Sequence, residues 1–178
     1  MRLPQCLLRI LCAGLVCAIG LPACSGFHLR GADSVMVAPL QGRSVQVAGV
    51  DTGSGFGAAL VQALQQAGAG IADSQEAAGI HLEIVRVNDS RTVSAYSASR
   101  QVREFNHALE VTFSARRNAP LGSSPDTAPV TASVRAERNQ IYDGRHVLGV
   151  AEEERSIRQE LQAEVARLLV VRLGVLHR

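Results

Sequence analysis

Lysine and tryptophan are absent from the 178-residue chain. Without a lysine there is no Walker-type phosphate loop, whose chemistry depends on that side chain. Cysteine stops early, at Cys6, Cys12, Cys17 and Cys24. The body of the chain therefore has neither a disulfide framework nor a cysteine-based metal site. Aromatic residues make up only 3% of the sequence, four Phe and two Tyr. An excess of charge is missing as well. Arg2 and Arg9 precede Cys24, no acidic residue does, and the remaining 16 basic residues match the 16 acidic ones. A charge-balanced body is a poor non-specific binder of nucleic acid. The familiar catalytic signatures G-x-S-x-G and H-E-x-x-H do not occur either, so the sequence predicts no enzyme, no metal and no cofactor. What is present is 47% hydrophobic residues and 19% charged ones, enough apolar surface for one folded domain.

A long apolar run is lacking too. Residues 10–21 are apolar, but a bilayer span needs roughly 20 residues. Two arginines, a short apolar centre and a small residue make residues 1–23 a secretory signal peptide. Its end, Leu21-Pro22-Ala23-Cys24, resembles a bacterial lipobox, in which the cysteine is acylated and becomes the new N-terminus. Acyl chains contribute about 0.8 kcal/mol per buried CH₂, so Cys24 would hold the protein on a membrane without a transmembrane helix. Ser25, where an Asp would signal retention at the inner membrane, points to the outer membrane.

Residues 24–42 read as a tether, with a short strand at 34–38, and 43–178 as a single domain. Ser44 to Val50 alternates as a strand. Phe56, Leu60, Val61, Leu64 and Ala67 recur at helical spacing, with Ser54 as N-cap and Gly68 closing the helix. Ile80, Leu82 and Ile84 give a second strand to about Val87, and 88–99 reads as a polar loop. Phe105 to Ala115 alternates cleanly as a third strand, and Val130 to Glu137 as a fourth. The Pro-rich stretch 117–129 between them reads as a loop. Ile157, Leu161, Val165, Leu168 and Leu176 set an apolar stripe on a long closing helix. Glu152, Glu153 and Glu154 fall in its first turns and Arg167, Arg172 and Arg178 near its end, as the helix dipole favours. The predicted fold is α+β, a two-layer sandwich in the order β-α-β-β-β-α. Two helices pack on one face of a four-stranded mixed sheet, with the first crossover right-handed and parallel. That order gathers Arg91, Arg100, Arg103, Arg145 and His146 at one end, on the 88–101 loop and the 143–149 turn.

Three motifs read as structural. Gly53-Ser54-Gly55-Phe56-Gly57-Ala58 fits G-x-G-x-x-A, with Asp73 twenty residues on. The dinucleotide fingerprint, however, places its acid at the end of the second strand, whereas Asp73 is expected before it. His81-Leu82-Glu83 lacks the downstream cysteine pair of a zinc deaminase. His107 sits on the apolar face of its strand as a core histidine.

The run Cys24-Ser25-Gly26-Phe27-His28-Leu29-Arg30-Gly31 resembles the mature start of LptE, the lipopolysaccharide-assembly lipoprotein family of Gram-negative outer membranes. The helix after the first strand, the Glu104-Phe105 pair and a closing helix ending near Arg172-Leu173 extend the resemblance over the mature chain. The family implies two helices on a four-stranded sheet. It also implies a one-to-one plug in a large outer-membrane β-barrel that assembles lipopolysaccharide, and binding of lipopolysaccharide itself. Basic residues on the two loops at one end bind that ligand in the family. Here Arg91, Arg100, Arg103 and Arg145 occupy them, and guanidinium groups suit lipid A phosphates. The other readings are a small-ligand or complex-stabilising outer-membrane lipoprotein, and a periplasmic enzyme using the Gly53 turn.

Overall fold

The structure, a computed structural model, describes residues 40–53, 55–118, 128–142 and 147–176. The signal peptide, Cys24, the 34–38 strand, Ser54, Arg145, His146 and most of the Pro-rich loop lie outside the described residues. The elements are β1 (Ser44–Ala48), α1 (Gly55–Gln66), β2 (Gly70–Ile71), β3 (Ile80–Tyr96), β4 (Val102–Arg117), β5 (Val130–Ile141) and α2 (Val147–Leu176). They build the expected two helices on a mixed sheet. The sheet has five strands in the order β2-β1-β3-β4-β5 rather than four. The extra strand, β2, is two residues long, too short to carry an alternation.

β1 pairs in parallel with β2 and β3, and β3, β4 and β5 pair antiparallel. The crossover through α1 is held by glycine geometry. Gly68, at φ +81, donates to the Gln65 carbonyl, and Ala69 donates to that of Leu64. These are the two bonds of a Schellman end. At the other end of α1, a Cβ on Gly57 would lie 2.0 Å from the Asp51 carbonyl oxygen, so only glycine lets the helix sit this close to its turn.

One face of the sheet carries both helices. Val45, Ile80, Leu82, Ile84, Leu109, Val111 and Phe113 meet Phe56, Leu60 and Leu64 of α1 and Leu161, Val165, Leu169 and Leu173 of α2 in one core. Leu40 joins this core, and its N–H bonds to the Ala67 carbonyl.

Three expectations change. First, residues 88–96 are strand, not loop. A register shift between Ile84 and Arg86 switches the helix-facing set from Ile80, Leu82 and Ile84 to Val87, Asp89, Arg91 and Val93, which hides the strand's period. Second, α2 begins at Val147, so its first turn holds no acid and its last turn no base, and the expected dipole match is not made. Third, Leu168 lies outside the buried stripe and is 41% exposed. The stripe runs instead through Ile157, Leu161, Val165, Ala166, Leu169, Val170 and Leu173. No helix among the described residues is long and apolar enough to cross a membrane.

Candidate functional site at the hairpin end

β3 and β4 join through a three-residue loop, Ala98-Ser99-Arg100. The Ser97 carbonyl accepts from the Arg100 N–H (2.9 Å), and Ser97 N–H donates to the Gln101 carbonyl (2.7 Å). Ser97 Oγ accepts from the Gln101 N–H (3.1 Å). This loop length calls for a left-handed third residue, and Arg100 fills that place at φ 60, the one positive-φ residue other than glycine among the described residues. The tip is thus fixed by hydrogen bonds, while an arginine holds a conformation that suits glycine.

The four arginines expected at this end divide by environment. Arg91 lies in β3 and faces α2. Its guanidinium carbon stands 3.9 Å from the Phe105 ring centre, and its Nη1 is 3.1 Å from Glu154 Oε2. Glu154 also takes Arg158, which reaches Asp89 of β3 at 3.2 Å. Phe105 meets Tyr142 edge to face at 5.6 Å. Arg91 is therefore a strut between strand, helix and aromatic pair. Arg100 and Arg103, exposed at the tip and the start of β4, have no ion-pair partner among the described residues. Arg145 lies outside the described residues.

Two apolar side chains that the sequence reading passed over stand at the same end, Tyr96 at 64% and Ile141 at 79% exposure. Tyr96 was hidden because its segment read as a loop, and Ile141 because the fourth strand was expected to stop short of it. Just inside this end, buried His107 meets Gln140 (Nε2 to Oε1, 2.9 Å). Gln140 Nε2 donates to Glu153 Oε2 and to the Val150 carbonyl. The core histidine is satisfied, as expected, and the pair ties β4 and β5 to the first turns of α2.

The sheet's other face carries no element among the described residues. Its centre is polar and paired across the strands, while Ile141, opposite Glu104, adds an exposed apolar side chain to the same face. Thr112 and Ser133 hydroxyls lie 2.9 Å apart. Asn106 donates to Asn139 Oδ1 at 2.8 Å and to Glu137, and His81 meets Gln46 at 2.7 Å. Arg135 donates to Glu137 at 2.7 Å and stands 3.6 Å from Glu110. The hydrogen bond from Arg135, then its charge, then Asn106 hold the Glu137 carboxyl below the usual carboxylate range.

The glycine turn before α1 differs from its expected context. Asp73 follows β2 rather than preceding the second strand, so β1-α1-β2 is a complete crossover unit. What argues against a phosphate there is the turn itself. Asp51 Oδ1 accepts the Gly53 N–H at 2.9 Å, which places a carboxylate where the fingerprint needs free amides. Among the described residues no cluster of three or more His, Cys, Asp or Glu could hold a metal.

A family model described as LptE, lipopolysaccharide-assembly, matches residues 33–173. Curated protein sequences include no match. Three solved structures share the fold. Rare lipoprotein B from Shewanella oneidensis is 13% identical with a TM-score of 0.64, over 75% of this chain and 96% of that one. Lipoprotein B from Nitrosomonas europaea is 19% identical with a TM-score of 0.62, over 85% and 92%. A minor lipoprotein from Acinetobacter baumannii is 15% identical with a TM-score of 0.58, over 76% and 92%.

Proposed function

The chain belongs to the LptE lipopolysaccharide-assembly family, and from that premise we propose that it plugs and helps assemble the outer-membrane β-barrel that delivers lipopolysaccharide. It is a non-enzymatic partner, held on the periplasmic side by acyl chains on Cys24. The observation that carries this reading is the open face of the sheet. An uncovered sheet face is ordinarily a docking surface or a solvated one. Here the middle of the face carries hydroxyls, amides and matched charges that already satisfy one another. The lumen of a large barrel is polar and wet, so such a face enters it at little desolvation cost.

The hairpin end supplies the lipopolysaccharide contact. Arg100 and Arg103 are the available cations, and Tyr96 and Ile141 are the available apolar groups. Lipid A offers phosphates to the first pair and acyl chains to the second. Arg91 supports the site by fixing Phe105 and the first turns of α2, and Arg145 is proposed as a further contact.

Co-purification from detergent-solubilised outer membrane tests the plug. A large β-barrel at one-to-one stoichiometry is expected, and its absence refutes the reading. Arg100→Glu with Arg103→Glu tests the ligand contact. Lipopolysaccharide binding should fall by at least tenfold, since each lost charge-assisted bond is worth about 1.5–3 kcal/mol. The barrel should still co-purify. Unchanged lipopolysaccharide binding would remove these arginines from the site and leave the plug standing.

A further inference from the structure

We propose that the last three turns of α2 form a membrane-docking surface that lies on an anionic phospholipid leaflet beside the anchor. Leu168, Val171 and Val175 are 41%, 58% and 56% exposed. Their spacing of three and four puts them on one side of the helix, opposite the buried Ala166, Val170 and Leu173. Arg167 and Arg172 flank this apolar strip, one on each side of the helical wheel, and both are exposed. Arg167 donates only to the Ala163 carbonyl of its own helix, and neither has a carboxylate partner among the described residues. No acidic residue follows Glu164 in the sequence. An apolar strip between cations is the pattern of a helix lying in a lipid interface.

Its place in the domain says which surface it meets. The first half of α2 is tied to the hairpin end through Glu153 and Glu154, so its last turns reach the other end. Leu40 enters the core at that same end, bonded to the close of α1 at Ala67. Cys24 is sixteen residues upstream of Leu40, a reach of at most about 54 Å. Arg43 adds positive charge at this end. Asp73 and Glu76 are there as well, but beyond β2, at the sheet edge opposite α2's strands. Three half-exposed aliphatic side chains bind a bilayer weakly on their own. Tethering makes the contact intramolecular and raises its effective concentration. The inference thus rests on the anchor at Cys24.

The mature body has no thiol after Cys24, so Val171→Cys in the full, acylated chain takes one environment-sensitive fluorophore. Glu160→Cys, on the same helix nearer the hairpin end, is the control. The probes are vesicles of phosphatidylethanolamine with and without phosphatidylglycerol. The label at 171 should shift to the blue and be quenched by brominated lipid when phosphatidylglycerol is present, while the label at 160 stays aqueous. Arg167→Glu with Arg172→Glu should reduce the docked fraction at least tenfold. Flotation of the vesicles reads the anchor separately. A chain that floats with both labels in water overturns the docking and leaves the anchor. A chain that floats only on phosphatidylglycerol, with the 171 label buried, supports the docking and removes the anchor. No flotation on either lipid overturns both. Burial of the 171 label only after the purified barrel is added shows that a protein covers the strip, and overturns the docking.

Discussion

Arg100 joins two requirements that pull apart. The three-residue loop needs a left-handed third residue, and an L side chain there costs roughly 1–2 kcal/mol, where glycine avoids the clash but gives up more chain entropy. Its guanidinium, in turn, is one of two cations left free at the hairpin end among the described residues. A residue kept in a costly conformation is a reason to look for a use of its side chain. Arg100→Gly separates the two effects. The urea midpoint should rise, by up to about 1 kcal/mol of stability, while lipopolysaccharide binding falls. A variant that gains stability and binds as before would make the arginine incidental. Arg91 shows the opposite case. It is equally basic, yet Glu154 at 3.1 Å and Phe105 at 3.9 Å occupy it, so a ligand phosphate would have to displace an ion pair.

At the scale of the element, the cross-strand cluster on β4 and β5 gives the protein a specific acid response. Glu137 is held below its usual range by Arg135 and Asn106. A depressed carboxyl pKa stabilises the fold fully above the ordinary carboxylate value of the unfolded chain. That contribution is lost as pH falls through the lowered folded value. Glu137→Gln should therefore lower the urea midpoint near pH 7 and converge on the parent chain as pH falls through the lowered folded value, with a small gap because the pair is exposed to solvent. The same sheet shows what a sequence discloses. β4 was legible from Phe105 to Ala115 because one face is apolar and buried and the other mostly polar and open. β3 was legible only to Ile84. Beyond it the extra residue of the bulge reversed which side chains face the helix, and Asp89 and Arg91 took inward positions by pairing with Arg158 and Glu154. A charge that faces a helix looks, in sequence, like a charge that faces water. β2 was invisible because two residues have no period. Leu168 misled for a related reason. It sits at helical spacing from Val165, but Leu169 beside it takes the core position.

At the scale of the molecule, the layers assign each surface a different neighbour. α1 and α2 cover one face of the sheet, and the other is uncovered among the described residues. Among the described residues the hairpin end carries the unpaired Arg100 and Arg103 with the exposed Tyr96 and Ile141, and Leu40 enters the core at the opposite end. Within the fold, the grouping of arginines near Arg100 followed from strand direction alone, whereas which of them were free depended on partners in α2 that no local pattern specified. If the open face enters a polar lumen, its tolerance for charge is the test. Thr112 and Ser133 are opposite each other and hydrogen-bonded in the middle of that face. Thr112→Arg with Ser133→Arg puts two like charges side by side across the strands. Like charges at such a pair destabilise by roughly 0.2–1 kcal/mol, too little to unfold a domain of ordinary stability. Inside a lumen the same pair would meet partner side chains arranged for two small hydroxyls, and its bulk and charge would not fit them. Thermal denaturation should therefore change by only a few degrees, while the amount of barrel recovered per lipoprotein falls severalfold in quantitative gels. Full recovery of the barrel with the doubly charged face would mean that this face looks toward solvent, and that the partner grips the protein elsewhere.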